Sequence, residues 1–162
     1  MQLPGELVSL LGMLGYTWPQ ADEEKLLEMG QSWMRFGSGL PEPVGQAQTH
    51  AERVWSDNQG SAVAAFQGAW TGGEAPKGNL DDAANAATMV GTGLMVCAGI
   101  VLALKINVIV QLTLLAAEIA QAIATAVPTA GASLLEIPIF KQITGMIIDQ
   151  LINVALDAVF SG

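Results

Sequence analysis

Six lysines and arginines against fifteen aspartates and glutamates give this chain of 162 residues a net charge of −9. That balance argues against a phosphate-binding surface and against nucleic acid as a partner. One cysteine, Cys97, cannot form an internal disulfide, and in its apolar run it reads as a small hydrophobe. The only histidine, His50, has no cysteine or carboxylate at metal-ligand spacing; Glu52 falls on a different helical face. Gly91-Thr92-Gly93 lacks the lysine and the preceding strand of a phosphate loop. No serine or cysteine has a base nearby in sequence. Asp22-Glu23-Glu24 and Asp81-Asp82 read as helix starts, which need no bound cation. The residues therefore predict no enzyme, no cofactor and no metal. The first residues hold no basic stretch, and Glu6 interrupts the apolar ones, so a Sec-type signal peptide is excluded and export would need another route.

What is present is apolar and helical. Hydrophobic residues make up 51% and charged ones 13%, against about 25% charged in an ordinary soluble domain. That suits a helix-rich core with little surface to spare, a membrane protein, or a domain cut from a larger assembly. The length suits one domain, residues 1–162. Residues 1–82 carry eleven acids and four bases, and residues 83–162 only four and two. The first half reads as solvated, the second as buried or membrane-directed.

The organising stretch is residues 79–127, where alanine and leucine recur and no proline intervenes before Pro128. Ala83–Leu104 contains 22 residues without a charge, enough by length to span a bilayer. Beyond Lys105 a polar stripe at Asn107, Gln111, Glu118, Gln121 and Thr125 predicts a helix surrounded by protein with one wet edge. Ahead of it, Leu3, Leu7, Leu10, Leu11 and Leu14 mark one face of a short helix stopped by Gly15. Asp22 caps the next helix, from which Leu26, Gly30, Trp33, Gly37, Leu40, Val44, Ala47, Ala51 and Val54 keep a heptad packing seam. Gly37, Gly39, Pro41 and Pro43 predict a kink near residues 38–41.

Trp55-Ser56-Asp57-Asn58-Gln59-Gly60 is a turn, and Ser61 is placed to cap a helix carrying Val63, Phe66 and Trp70. Trp55 and Trp70 then flank the turn at one end of a bundle. Thr71–Gly78 reads as a flexible link, with Asn79, Asp81 and Asp82 opening the long helix. After Pro128, Ser133 with Glu136 resembles a capping box. A last helix, within residues 133–160, puts Phe140, Ile143, Ile147, Leu151 and Val154 on one side. The chain is thus expected to be all-α: a helix and hairpin over 1–72, packed on a long apolar helix and a C-terminal return helix, elongated overall. Its close at Ser161-Gly162 suits a domain cut from a longer protein.

Several of these motifs occur together in a known family. Leu3-Pro4-Gly5-Glu6-Leu7, Gly15-Tyr16-Thr17-Trp18-Pro19, Asp22 to Leu26 and Trp33 resemble the WXG-like helical N-terminal domains of actinobacterial polymorphic toxins. So do Trp55 to Gly60 with Phe66 and Trp70, Ala116 to Ala120, and Gly131 to Leu134. The resemblance implies the non-catalytic export module of a toxin secreted through a type VII (ESX) system. It implies a cytoplasmic state before export, and a small WXG-type helical partner or self-association. It maps hairpin recognition onto Trp55, Asp57, Asn58, Gly60, Trp70 and Gly72. Two departures stand out: Trp55-Ser56-Asp57 lacks the glycine that Trp70-Thr71-Gly72 supplies one helix later, and Tyr16 is followed four residues on by Gln20, not by an acid. A second reading, membrane insertion or pore formation, rests on Ala83–Leu104 and its glycines, and toxins of this class have been associated with channels.

Overall fold

The computed structural model describes residues 1–161, and among them the chain is all-α. Six helices run in order: α1 (Gly5–Met13), α2 (Glu23–Gly39), α3 (Pro41–Asp57), α4 (Ser61–Thr71), α5 (Pro76–Ala124) and α6 (Ile137–Phe160). A 3-10 turn, Ala132–Glu136, precedes α6. The chain divides into two compact units: Lys25–Val96, and Met1–Glu24 together with the chain from Cys97 onward.

In the unit of residues 25–96, the heptad line is buried at one of its two positions. Gly30, Gly37, Val44 and Ala51, seven residues apart, are all buried. The alternate positions Leu26, Leu40 and Ala47 are half-buried, whereas Trp33 and Val54 are exposed, contrary to a seam packed at both positions. The reason is the closeness of the helices. A Cβ added at Gly30 would lie 2.8 Å from the Gly91 carbonyl oxygen, and one at Gly91 would lie 2.7 Å from that of Gly30. At Gly37 it would lie 2.7 Å from the carbonyl oxygen of Ala84. Backbones this close leave no room for a second row of large side chains, which are pushed to the flanks. The line crosses from α2 to α3 without slipping because Leu40 keeps helical dihedrals (φ −69°, ψ −37°). Pro41 only removes the hydrogen bond it cannot donate.

The link before α5 is tighter than its glycines predict. Ala75 is buried and its amide donates to the Gly72 carbonyl at 3.0 Å. Helix α5 begins at Pro76, not at Asn79, because proline suits a first helical position and Lys77 pairs with Asp81 one turn on at 2.8 Å. From there α5 runs 49 residues without a break at Lys105.

In the other unit, Leu11 of α1, Val108 and Leu112 of α5 and Ile148 of α6 form the buried core, flanked by Leu7, Leu14, Tyr16 and Trp18. Helix α6 presents Thr144 and Ile148 inward, and Ile143 and Val154 are exposed, so the buried stripe is rotated from the expected one. Its apolar residues occupy both sides, and periodicity alone cannot choose between them. Ser133 makes no capping box. Its hydroxyl donates to the Ala122 carbonyl at 2.7 Å, and its segment is a 3-10 turn. The expected sheathing of α5 also fails: Met89 is 74% and Ile123 58% exposed.

The glycine contact predicts opposite signs for two neighbouring substitutions. Gly91→Ala forces a Cβ against backbone and should destabilise by about 1–3 kcal/mol in urea unfolding. Gly93→Ala, where a Cβ meets nothing within 4 Å, should stabilise by about 0.5–1 kcal/mol.

Candidate interaction site

The hairpin of α3 and α4 gathers most of the expected recognition residues. Helix α3 ends at Asp57, whose carboxylate accepts from the Ser56 hydroxyl at 3.0 Å. Asn58 turns extended (φ −134°, ψ 159°) and its side-chain amide donates back to the Val54 carbonyl at 2.9 Å, closing the helix end. Gly60 has φ 129°, a conformation side chains resist, and it stands as the N-cap of α4 with no side-chain bond. Ser61 is therefore the first helical residue and not the cap. A residue able to take that φ sets the turn, which leaves the serine hydroxyl without the capping position.

Across the hairpin, Trp55, Phe66 and Trp70 form a ladder. The Trp55 and Phe66 rings lie 5.9 Å apart and tilted, and Phe66 and Trp70 lie 6.0 Å apart and stacked. The Trp70 indole N–H donates to Gln48 Oε1 at 2.7 Å, which places Trp70 beside the middle of α3. The two tryptophans thus do not share one end of the hairpin, as expected; Phe66 joins them along its length. An antiparallel α4 carries Trp70 away from the turn. Gly72 is the extended C-cap of α4 (φ −66°, ψ 163°), on the side remote from Gly60. Trp55 and Trp70 are half-buried, and Phe66 between them is exposed. Gln48 was missed by sequence reasoning because a glutamine on a polar helix gives no signal until its partner is known.

Of the seam residues, Trp33 belongs to a surface. With Glu28, Met29, Ser32 and Phe36 it lines an open groove of about 500 Å³ on α2. The Trp33 and Phe36 rings meet edge to face at 6.1 Å. Met29, Trp33 and Phe36 fall at the i, i+4, i+7 spacing of one exposed apolar stripe, the pattern by which a helix is read by a partner.

The other unit holds a cluster that the sequence did not announce. Lys105, 3% exposed, donates to Glu23 Oε2 at 2.5 Å and to the Ala21 carbonyl at 2.6 Å, with the Trp18 ring 5.9 Å from its Nζ. Glu23, 6% exposed, also takes the Met1 ammonium. Hydrogen bonding from Lys105, then from that ammonium, holds the Glu23 carboxyl down to about 2. Nearby, the Tyr16 hydroxyl donates to the Gly145 carbonyl at 3.0 Å, and the adjoining Asp149 carboxylate, together with burial, raises the phenol pKa. Among the described residues no group of three or more His, Cys, Asp or Glu could hold a metal ion.

A family model described as a WXG100 like domain matches residues 2–147. Neither curated proteins nor solved structures gave a match.

The depressed Glu23 pKa fixes a pH signature. A carboxylate below its ordinary value of 4.5 stabilises the fold fully above that pH, and the contribution is lost as pH falls through about 2. The stability difference between the native chain and Glu23→Gln, from urea unfolding, should hold constant from pH 7 to 5. It should shrink only below pH 4.5. A difference that vanishes between pH 7 and 5 would contradict the pairing.

Proposed function

The chain belongs to the WXG100-like family of helical, type VII secretion-related proteins, and on that premise we propose that it is the non-catalytic export and interaction module of a type VII secreted polymorphic toxin. Residues 1–162 act as one WXG-like helical domain. The module resides in the cytoplasm before export and presents two surfaces. The α3–α4 hairpin, with Trp55, Asp57, Asn58, Gly60, Trp70 and Gly72, meets the secretion machinery. The α2 stripe around Trp33 meets a small WXG-type helical partner or a second copy.

The observation that carries this reading is the aromatic ladder. Three large rings are aligned by the hydrogen bond that Trp70 donates to Gln48 and by a glycine-set turn, yet the middle ring stays exposed. Aromatic side chains held rigid at a surface lose little entropy on binding and dominate interfaces that are read as hot spots. Leu26, Leu40 and Val44, half-buried or buried, support the hairpin from within α2 and α3.

A second reading, membrane insertion, is favoured by one observation. The stretches Ser61–Ala124 and Ala132–Phe160 each hold an 18-residue window apolar enough to cross a bilayer, with mean hydropathy 2.3 and 1.5, and only 17% and 11% of these windows are buried.

Export is the test. In cells with a working type VII system, Trp55→Ala and Trp70→Ala should lower the exported fraction on the order of tenfold or more, the scale of a lost hot spot, with helical circular dichroism unchanged. Undiminished export of both variants, or export from cells whose system is inactivated, would overturn the reading.

A further inference from the structure

Residues 83–117 contain one charge, Lys105. It is not solvated: Glu23, the Ala21 carbonyl and the Trp18 ring enclose it. Helix α6 carries Asp149 at its middle, exposed and beside Tyr16, with Lys141 and Asp157 eight residues to either side. Both partners come from residues 16–23, the connector after α1 and the first residue of α2. Helices α5 and α6 run antiparallel here, since Ile100 and Leu104 line one groove with Leu151, Val154 and Ala158. Val108 and Ile148 share the core, flanked by Leu104 and Ile152, so Lys105 and Asp149 stand at the same level of the helix pair.

We propose that residues 97–160 are a bilayer-entering hairpin kept in water-soluble form by residues 1–24, with Glu23–Lys105 as the lock and Asp149 as the partner Lys105 takes after release. The proposal rests on the membrane reading and adds to it the control. Three features favour lipid as the occupant of the exposed faces. Residues 97–124 of α5 span ~42 Å and α6 ~36 Å at 1.5 Å per residue, enough for a hydrocarbon core of about 30 Å. Ile106, Val110, Leu114, Ile143 and Val154 are exposed along them. Two polar side chains of α5 satisfy themselves on their own helix: Asn107 donates to the Ala103 carbonyl and Thr113 to that of Ile109, each at 2.8 Å. Polar groups so satisfied tolerate hydrocarbon, as they need no outside partner. Of the six charges in residues 97–160, Glu118, Glu136, Lys141 and Asp157 stand toward the helix ends, within reach of the interface. Lys105 and Asp149, opposite in sign and at one level, are the two left near the middle, where intramembrane charges persist when paired.

Residues 1–24 supply everything the hairpin loses on leaving water. Leu11 and its neighbours cover Val108, Leu112 and Ile148, Glu23 takes Lys105, and Tyr16 sits against Asp149. Withdrawal of this one segment exposes the apolar core and frees both charges at once.

The test uses the full chain with phosphatidylcholine vesicles, reading flotation and dye release together. Glu23→Gln should release dye about tenfold faster than the native chain, a factor typical of one coupled site. Glu23→Asp, which keeps a carboxylate for both Lys105 and the Met1 ammonium, should release dye more slowly than Glu23→Gln. Adding Asp149→Asn to Glu23→Gln should suppress the gain. Equal release by the native chain and Glu23→Gln, with both floating, overturns the lock and leaves the membrane reading standing. No flotation by any variant that keeps its helical circular dichroism overturns both. Loss of that signal in Glu23→Gln also overturns the lock, because release must leave the helices intact.

Discussion

Everything in this chain answers to α5, a helix of 49 residues with a single charge between Asp82 and Glu118. Such a helix cannot stand alone in water, and the rest of the sequence supplies cover by two different means. In residues 25–96 the cover is backbone on backbone, with Gly30 and Gly37 of α2 set against Gly91 and Ala84. In the other unit it is side chain on side chain, with the leucines of α1 and the apolar face of α6 closing over Val108 and Leu112. The lone charge is dealt with separately. Burying Lys105 without a counter-ion would be prohibitive, so the connector carries Glu23 to it. The cover is incomplete in both units, and the function proposed for the chain lives in what is left exposed.

Much of the fold was legible in residue pattern. The leucine spacing of α1, the Asp22 cap, the turn at Asp57–Gly60 and the run of α5 all follow from local chemistry. Propensity, capping and turn preference act within a few residues of sequence. The heptad line also gave its buried half, since Gly30, Gly37, Val44 and Ala51 stand where a seven-residue repeat puts them. What pattern could not give was the choice among equivalent faces. Helix α6 is apolar on both sides, so only its partner decides that Ile148 goes in and Ile143 stays out. The exposure of Trp33 follows likewise from how closely two glycines meet, a distance that no spacing rule contains.

The site divides the same way. Trp55, Asp57, Asn58 and Gly60 lie within six residues of one another, and their turn is a local event. The bond from Trp70 to Gln48 spans 22 residues, and the pair of Lys105 with Glu23 spans 82. Contacts at such separations leave no periodic trace. Glu23 looks like an ordinary acid in a first helical turn, and Lys105 like a simple interruption of an apolar run. Only the fold makes them one feature.

The central claim is that this chain works through helical faces which another molecule covers. Oxidative footprinting of its exposed methionines tests that most directly, because Met29, Met89 and Met146 stand on those faces and their sulfur reports access. The account predicts rapid oxidation of all three in the purified chain and marked protection of at least Met29 in exporting cells. Equal oxidation in the two settings would mean that nothing covers these faces, and would contradict it.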